Sequence, residues 1–195
     1  MTASLIPTLA LAHPGGIAAH SSFLTGVLHP LGGVDHLLAM LAVGWLAARI
    51  GGRALWRVPL AFVALMVGGG LLAAAGIALP LVETLIAVSV TVLGLALIGG
   101  RRLTTTVAMA LVGFFAVFHG HAHLTEMPVA GVDGGPLAYG AGFVLATAGL
   151  HLVGIGLGML AERAAAGRGA WVTPVTAVVL AVSGVVILIG QPAVG

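Results

Sequence analysis

Leu60-Ala-Phe-Val-Ala-Leu-Met-Val-Gly-Gly-Gly-Leu-Leu-Ala-Ala-Ala-Gly-Ile-Ala-Leu79 runs for twenty residues without a charged, amide or hydroxyl side chain. A helix of that length crosses the ~30 Å hydrocarbon layer of a bilayer. Lipid satisfies no backbone polar group, so a spanning segment is either a helix or part of a closed barrel. Barrel strands are short and alternate in polarity, whereas this run is long and uniformly apolar. Outward from it, the chain reads as an all-α polytopic membrane protein, a bundle of six transmembrane helices: Leu31 to Ile50, Val58 to Leu79, Leu81 to Gly99, Leu103 to His119, Leu137 to Leu160 and Val172 to Gly190. A short half-helix from Ser21 to Leu28 precedes them, with Ser21 or Ser22 as its N-cap, and ends at His29-Pro30, where a bend is expected because a residue before proline avoids the helical region. Pro80 and Pro174 suit helix starts, and Gly154-x-x-x-Gly158 allows close approach of a neighbouring helix. Six spans of about 20 residues with short loops use up the chain, so residues 13–195 are expected to form a single domain.

Composition agrees: 60% of the 195 residues are hydrophobic and 6% charged, against about 25% charged in a soluble domain. Cysteine is absent, which excludes disulfides and thiolate metal sites. The basic residues do not gather on one face as a nucleic-acid surface requires. Arg49, Arg53 and Arg57 fall between spans one and two, Arg101 and Arg102 between three and four, and Arg163 and Arg168 between five and six. All seven therefore lie on one side, which the positive-inside rule makes cytoplasmic. The opposite side collects Asp35, Glu83, Glu126 and Asp133 with His29, His36, His119, His121 and His123, and both ends of the mature chain are expected there. Residues 1–12 read as a signal-peptide remnant, with Ala10-Leu11-Ala12 as a small-x-small cleavage pattern but no basic n-region. Cleavage after Ala12 would leave His13 first, able to chelate a metal through its amine and imidazole.

Three constellations carry possible chemistry. In His29-Pro-Leu-Gly-Gly-Val-Asp35-His36, the carboxylate is favoured by the helix N-terminus, and the glycines let the loop fold so that His29 reaches His36. Met40, one turn on, adds a thioether or simply packs. In His119-Gly-His121-Ala-His123-Leu-Thr-Glu126, a helix puts His119 and His123 on one face with His121 turned away, whereas an extended segment would put all three on one side. Imidazole with carboxylate suits nickel, cobalt, zinc or copper(II) better than calcium or magnesium. His151, fifteen residues from Pro136, lies about 22 Å along its span. An ionisable group at that depth is a functional residue by default; the alternative is a neutral imidazole bonded to a helix bearing Ser89 or Thr91. Glu83, in the first turn of span three, is explained by the helix dipole or serves as a ligand.

His29-Pro30 with Gly33, Asp35-His36-Leu-Leu-Ala-Met40-Leu-Ala-Val-Gly44, Phe118-His119-Gly120-His121-Ala122-His123 and Glu126 together resemble the HupE/UreJ family. The likeness extends to the small-residue cleavage site followed by histidine, to Glu83 and to His151, and departs at Leu124, where a glycine usually follows the last histidine. The five residues between His29 and Asp35 separate the motif from the His-x4-Asp-His signature of another nickel/cobalt transporter family. The resemblance implies a nickel or cobalt permease of the bacterial inner membrane, associated with hydrogenase or urease maturation.

The expected mechanism is capture of a divalent ion by His29, Asp35, His36 and the His119 to Glu126 cluster, followed by transfer inward to His151, with no permanently bound cofactor. Capture must be reversible, so coordination should be exchangeable rather than closed. Protons compete for imidazole, so uptake is expected to fall as pH drops through about 6.5. Two other readings are a zinc-dependent intramembrane hydrolase, with His123-x-x-Glu126 in its site but no HExxH, and a haem protein with axial histidines.

Overall fold

A computed structural model describes residues 22–125, 135–165 and 171–191. Seven α-helices occur among them, in the order α1 (Ser22–Gly32), α2 (Val34–Ile50), α3 (Ala54–Ala74), α4 (Val82–Gly99), α5 (Thr105–Thr125), α6 (Gly135–Ala165) and α7 (Val172–Gly190), with one 3₁₀ turn at Gly100–Arg102. Among the described residues, the five helices α3 to α7 are each long and apolar enough to cross a membrane, and α1 and α2, bent by 90° at Gly33, bring the number to six if the pair counts as one broken span. The protein is an all-α polytopic membrane protein.

The bend falls at Gly33 (φ −101°, ψ 121°) and not at His29-Pro30, because α1 continues through Pro30. Proline forfeits one N–H bond and crowds the carbonyl four residues back. That residue is Gly26, where a β-carbon would collide with the Tyr139 carbonyl of α6, and this close packing carries the helix through. At the other end of span two, α3 stops short of Leu79. Gly76 takes φ +75°, and the N–H groups of Gly76 and Ile77 donate to Ala73 O (2.9 Å) and Leu72 O (3.0 Å), the Schellman pattern that ends a helix at a left-handed glycine. The helix α5 runs past His119 to Thr125, so the histidine tract is helical. The bounds of α7 are those expected.

At the centre is α2, which packs on α1, α3, α4, α6 and α7 and buries Ala39, Met40, Ala42, Val43, Leu46 and Ala47 completely. Leu60, Leu71, Val186 and Ile189 face outward, as lipid permits. Between lipid-bathed helices there is no hydrophobic drive to associate, so small residues and close packing hold them. Four helix pairs meet at reciprocal glycines: Gly26 with Gly142, Gly44 with Gly154, Gly69 with Gly120 and Gly94 with Gly184, each of which would drive an added β-carbon into the partner helix. Gly158 sits against Trp45 and Ala48, so the Gly154-x-x-x-Gly158 spacing serves the α2–α6 contact.

Candidate metal centre

At the end of the bundle away from the arginines, α1, α2 and α5 bring four imidazoles into one cluster. The ring centroids of His29 and His123 are 4.8 Å apart, those of His123 and His36 4.2 Å, and those of His36 and His119 5.1 Å. Gly33 makes room for the start of α2: a β-carbon there would lie 2.9 Å from His36 Nδ1 and 3.0 Å from Asp35 Oδ1. The Asp35 carboxylate accepts from the His36 backbone N–H and from its Nδ1, both at 2.8 Å. On α5, the His119 Nδ1 donates to the Phe115 carbonyl at 2.9 Å. A carboxylate or a carbonyl oxygen can only accept, so both rings carry a proton on Nδ1, which leaves Nε2 as the nitrogen placed to ligate. These two Nε2 atoms and both nitrogens of His123 are buried without a hydrogen-bond partner. Each such group costs about 1–3 kcal/mol, which marks the cluster as more than packing.

His29, on α1, also meets Tyr139 and Phe143 of α6, and the ring of Phe143 lies 4.0 Å from that of His123. A cleft of about 570 Å³ opens beside the cluster, lined among others by His29, Asp35, His36, His123 and Glu83. Glu83 is exposed at the start of α4, and its carbonyl accepts from the Gln191 amide at 3.0 Å. Among the described residues, no three His, Asp or Glu side chains are so disposed that they could hold an ion between them as they stand. The rings instead pack edge to face against one another.

His121 is buried but turns away from the cluster, as a helical tract requires, and donates from Nε2 to the Ile77 carbonyl at 2.9 Å. It pins α5 to the link after α3. Met40 is fully buried in the core. His13 and Glu126 lie outside the described residues, and with them the chelating N-terminus, the cleavage site and the His123-x-x-Glu126 arrangement on which the hydrolase reading leaned.

His151 is buried on α6, and neither nitrogen has a hydrogen-bond partner. The hydroxyls expected as alternatives are engaged elsewhere: Ser89 donates to the Ile86 carbonyl (2.6 Å) and Thr91 to that of Ala181 (3.2 Å). Its ring meets Phe62 at 5.1 Å, and Phe62 meets His119 at 5.5 Å. Phe62, Tyr139 and Phe143 escaped the sequence reading because a lone aromatic in a span looks like core. Glu162 escaped it too. At the arginine end its carboxylate pairs with the Arg49 guanidinium and accepts from the Thr173 hydroxyl at 3.5 Å, while Arg49 Nε donates to Leu97 O at 2.8 Å. An acid among seven arginines was the available signal.

A sequence profile described as HupE / UreJ protein matches residues 1–187 of the chain. Protein HupE of Rhizobium leguminosarum bv. viciae is 44% identical over 190 residues, covering 97% of this chain and 95% of that protein. No solved structure matches the chain. With the profile running through nearly every helix and a curated relative aligned almost end to end, the membrane protein that carries this imidazole cluster belongs to the HupE/UreJ family.

Proposed function

We propose that the chain is a permease, without catalytic activity, that imports nickel or cobalt across the bacterial inner membrane and takes the ion up at the imidazole cluster. One observation carries the reading: His36 and His119 each donate Nδ1–H to an oxygen and leave a buried Nε2 without a partner. Ligating histidines are held in that way, the other ring nitrogen bonded to a carboxylate or a backbone carbonyl. Nitrogen ligands favour nickel, cobalt, copper and zinc over magnesium and calcium.

The ion is cargo, so a site that closes around it only when the rings move apart suits release as well as capture. His29 and His123 supply further imidazoles, Asp35 orients His36, Glu83 draws cations to the cleft, and His151 receives the ion further in. Glu126 and His13 would join at the entrance. The arginine end faces the cytoplasm in this reading, where the metal would serve hydrogenase or urease maturation. In proteoliposomes, His36→Ala and His119→Ala are expected each to lower radioactive nickel and cobalt uptake more than about tenfold, the scale at which metal-site residues act. Uptake untouched by both substitutions would remove the site, and no uptake by the unaltered chain would remove the function.

A further inference from the structure

One aromatic ring, that of Phe62, touches both the imidazole cluster and His151. Phe62 is completely buried and touches His119 at 5.5 Å and His151 at 5.1 Å, edge to face in both cases (64° and 85°). Among the described ring contacts, His119 meets His36 and Phe62, and none joins it to His151. His151 itself is unexplained by packing. Both its nitrogens are buried without a partner, and Thr147, one turn earlier on α6, gives its hydroxyl to the Met66 sulfur at 3.9 Å. Both Phe62 and Met66, one turn apart on α3, thus face the stretch of α6 that holds His151.

A phenyl ring offers an ion no lone pair and admits no water, and hydrophobic constrictions of this kind close pathways by excluding water. The helix around it has unequal support. Pro59, three residues before Phe62 within α3, cannot donate to the Leu55 carbonyl, and such a missing bond is where helices bend.

We propose that Phe62 is the gate between the outer imidazole cluster and His151, so that an ion passes inward only when the ring swings aside. The proposal rests on the metal-import reading above and adds the residue that sets the rate of transfer. It predicts that, inward of the imidazole rings, Phe62 shields His151 from the cleft.

The native chain has no cysteine, so single cysteines report accessibility directly. In full-length protein reconstituted in liposomes, His151→Cys is treated from the cluster side with a membrane-impermeant methanethiosulfonate ammonium reagent, and labelling is followed by intact mass. His29→Cys reports access to the cleft in every background. The expected result is that adding Phe62→Ala or the better-packed Phe62→Leu to His151→Cys speeds labelling at least about tenfold, with His29→Cys unchanged, as removal of a dry constriction requires. In the chain with His151 intact, Phe62→Leu raises nickel uptake at saturating metal. Equal labelling of His151→Cys with and without Phe62, in variants that label normally at His29→Cys, overturns the gate. Labelling needs no metal, so failure of the unaltered chain to take up nickel or cobalt would overturn the import reading separately.

Discussion

A carboxylate that accepts a hydrogen bond from imidazole Nδ1–H orients the ring and turns its other nitrogen to a ligand. Asp35 does both for His36, so it acts through the histidine. Asp35→Ala is therefore expected to lower nickel affinity of the purified protein about 10–100-fold, the range for such supporting partners. Asp35→Asn, whose amide oxygen still accepts from Nδ1, should keep most of it. Calorimetric titration separates the variants, and equal losses would mean that the carboxylate touches the ion, as the sequence suggested. At this scale the convergence of His29, His36, His119 and His123 was legible, because helix ends and i,i+4 spacing place them on one side. The Asp35–His36 bond was not, since adjacent residues in a helix do not face each other and only the room left by Gly33 permits it.

The elements were legible wherever apolar length decided them, and least so where glycine did. Gly68, Gly69 and Gly70 lie inside α3, whereas Gly76 ends it at a left-handed φ of +75°. Nothing local distinguishes a glycine that packs from one that terminates; the partner helix does. The α2–α6 pair tests this. Gly154 lies against the Leu41 backbone, whereas Gly156, two residues on, is exposed with nothing within 4 Å of an added β-carbon. Gly154→Ala must push the helices apart, at a cost of about 1–3 kcal/mol as for other overpacked sites, which lowers the melting temperature by several degrees at about 2–4 °C per kcal/mol. Gly156→Ala should leave it unchanged or raise it slightly, since alanine is the better helix former. Thermal unfolding of the two variants in detergent decides; equal effects would mean that the small residues are not what holds α2 to α6.

As a whole, the molecule is polarised along its axis. One end gathers imidazoles and an open cleft. At the other, Arg49 joins α2 to α6 through Glu162 and to α4 through Leu97 O, and Thr173 of α7 bonds the same carboxylate. Sorting charges along the sequence revealed the two ends but not this tie, because an ion pair 113 positions apart is a tertiary fact. If the chain carries metal as proposed, the direction of transport follows from which end faces out. Ala78, in the link between α3 and α4, and Thr106, in the first turn of α5, are exposed at the imidazole and arginine ends. Placed singly in the cysteine-free chain, Ala78→Cys should react with an impermeant maleimide in right-side-out vesicles, and Thr106→Cys only after detergent is added, if the arginines obey the positive-inside rule. The reverse pattern would put the cluster in the cytoplasm, where the same ligands would collect metal for export.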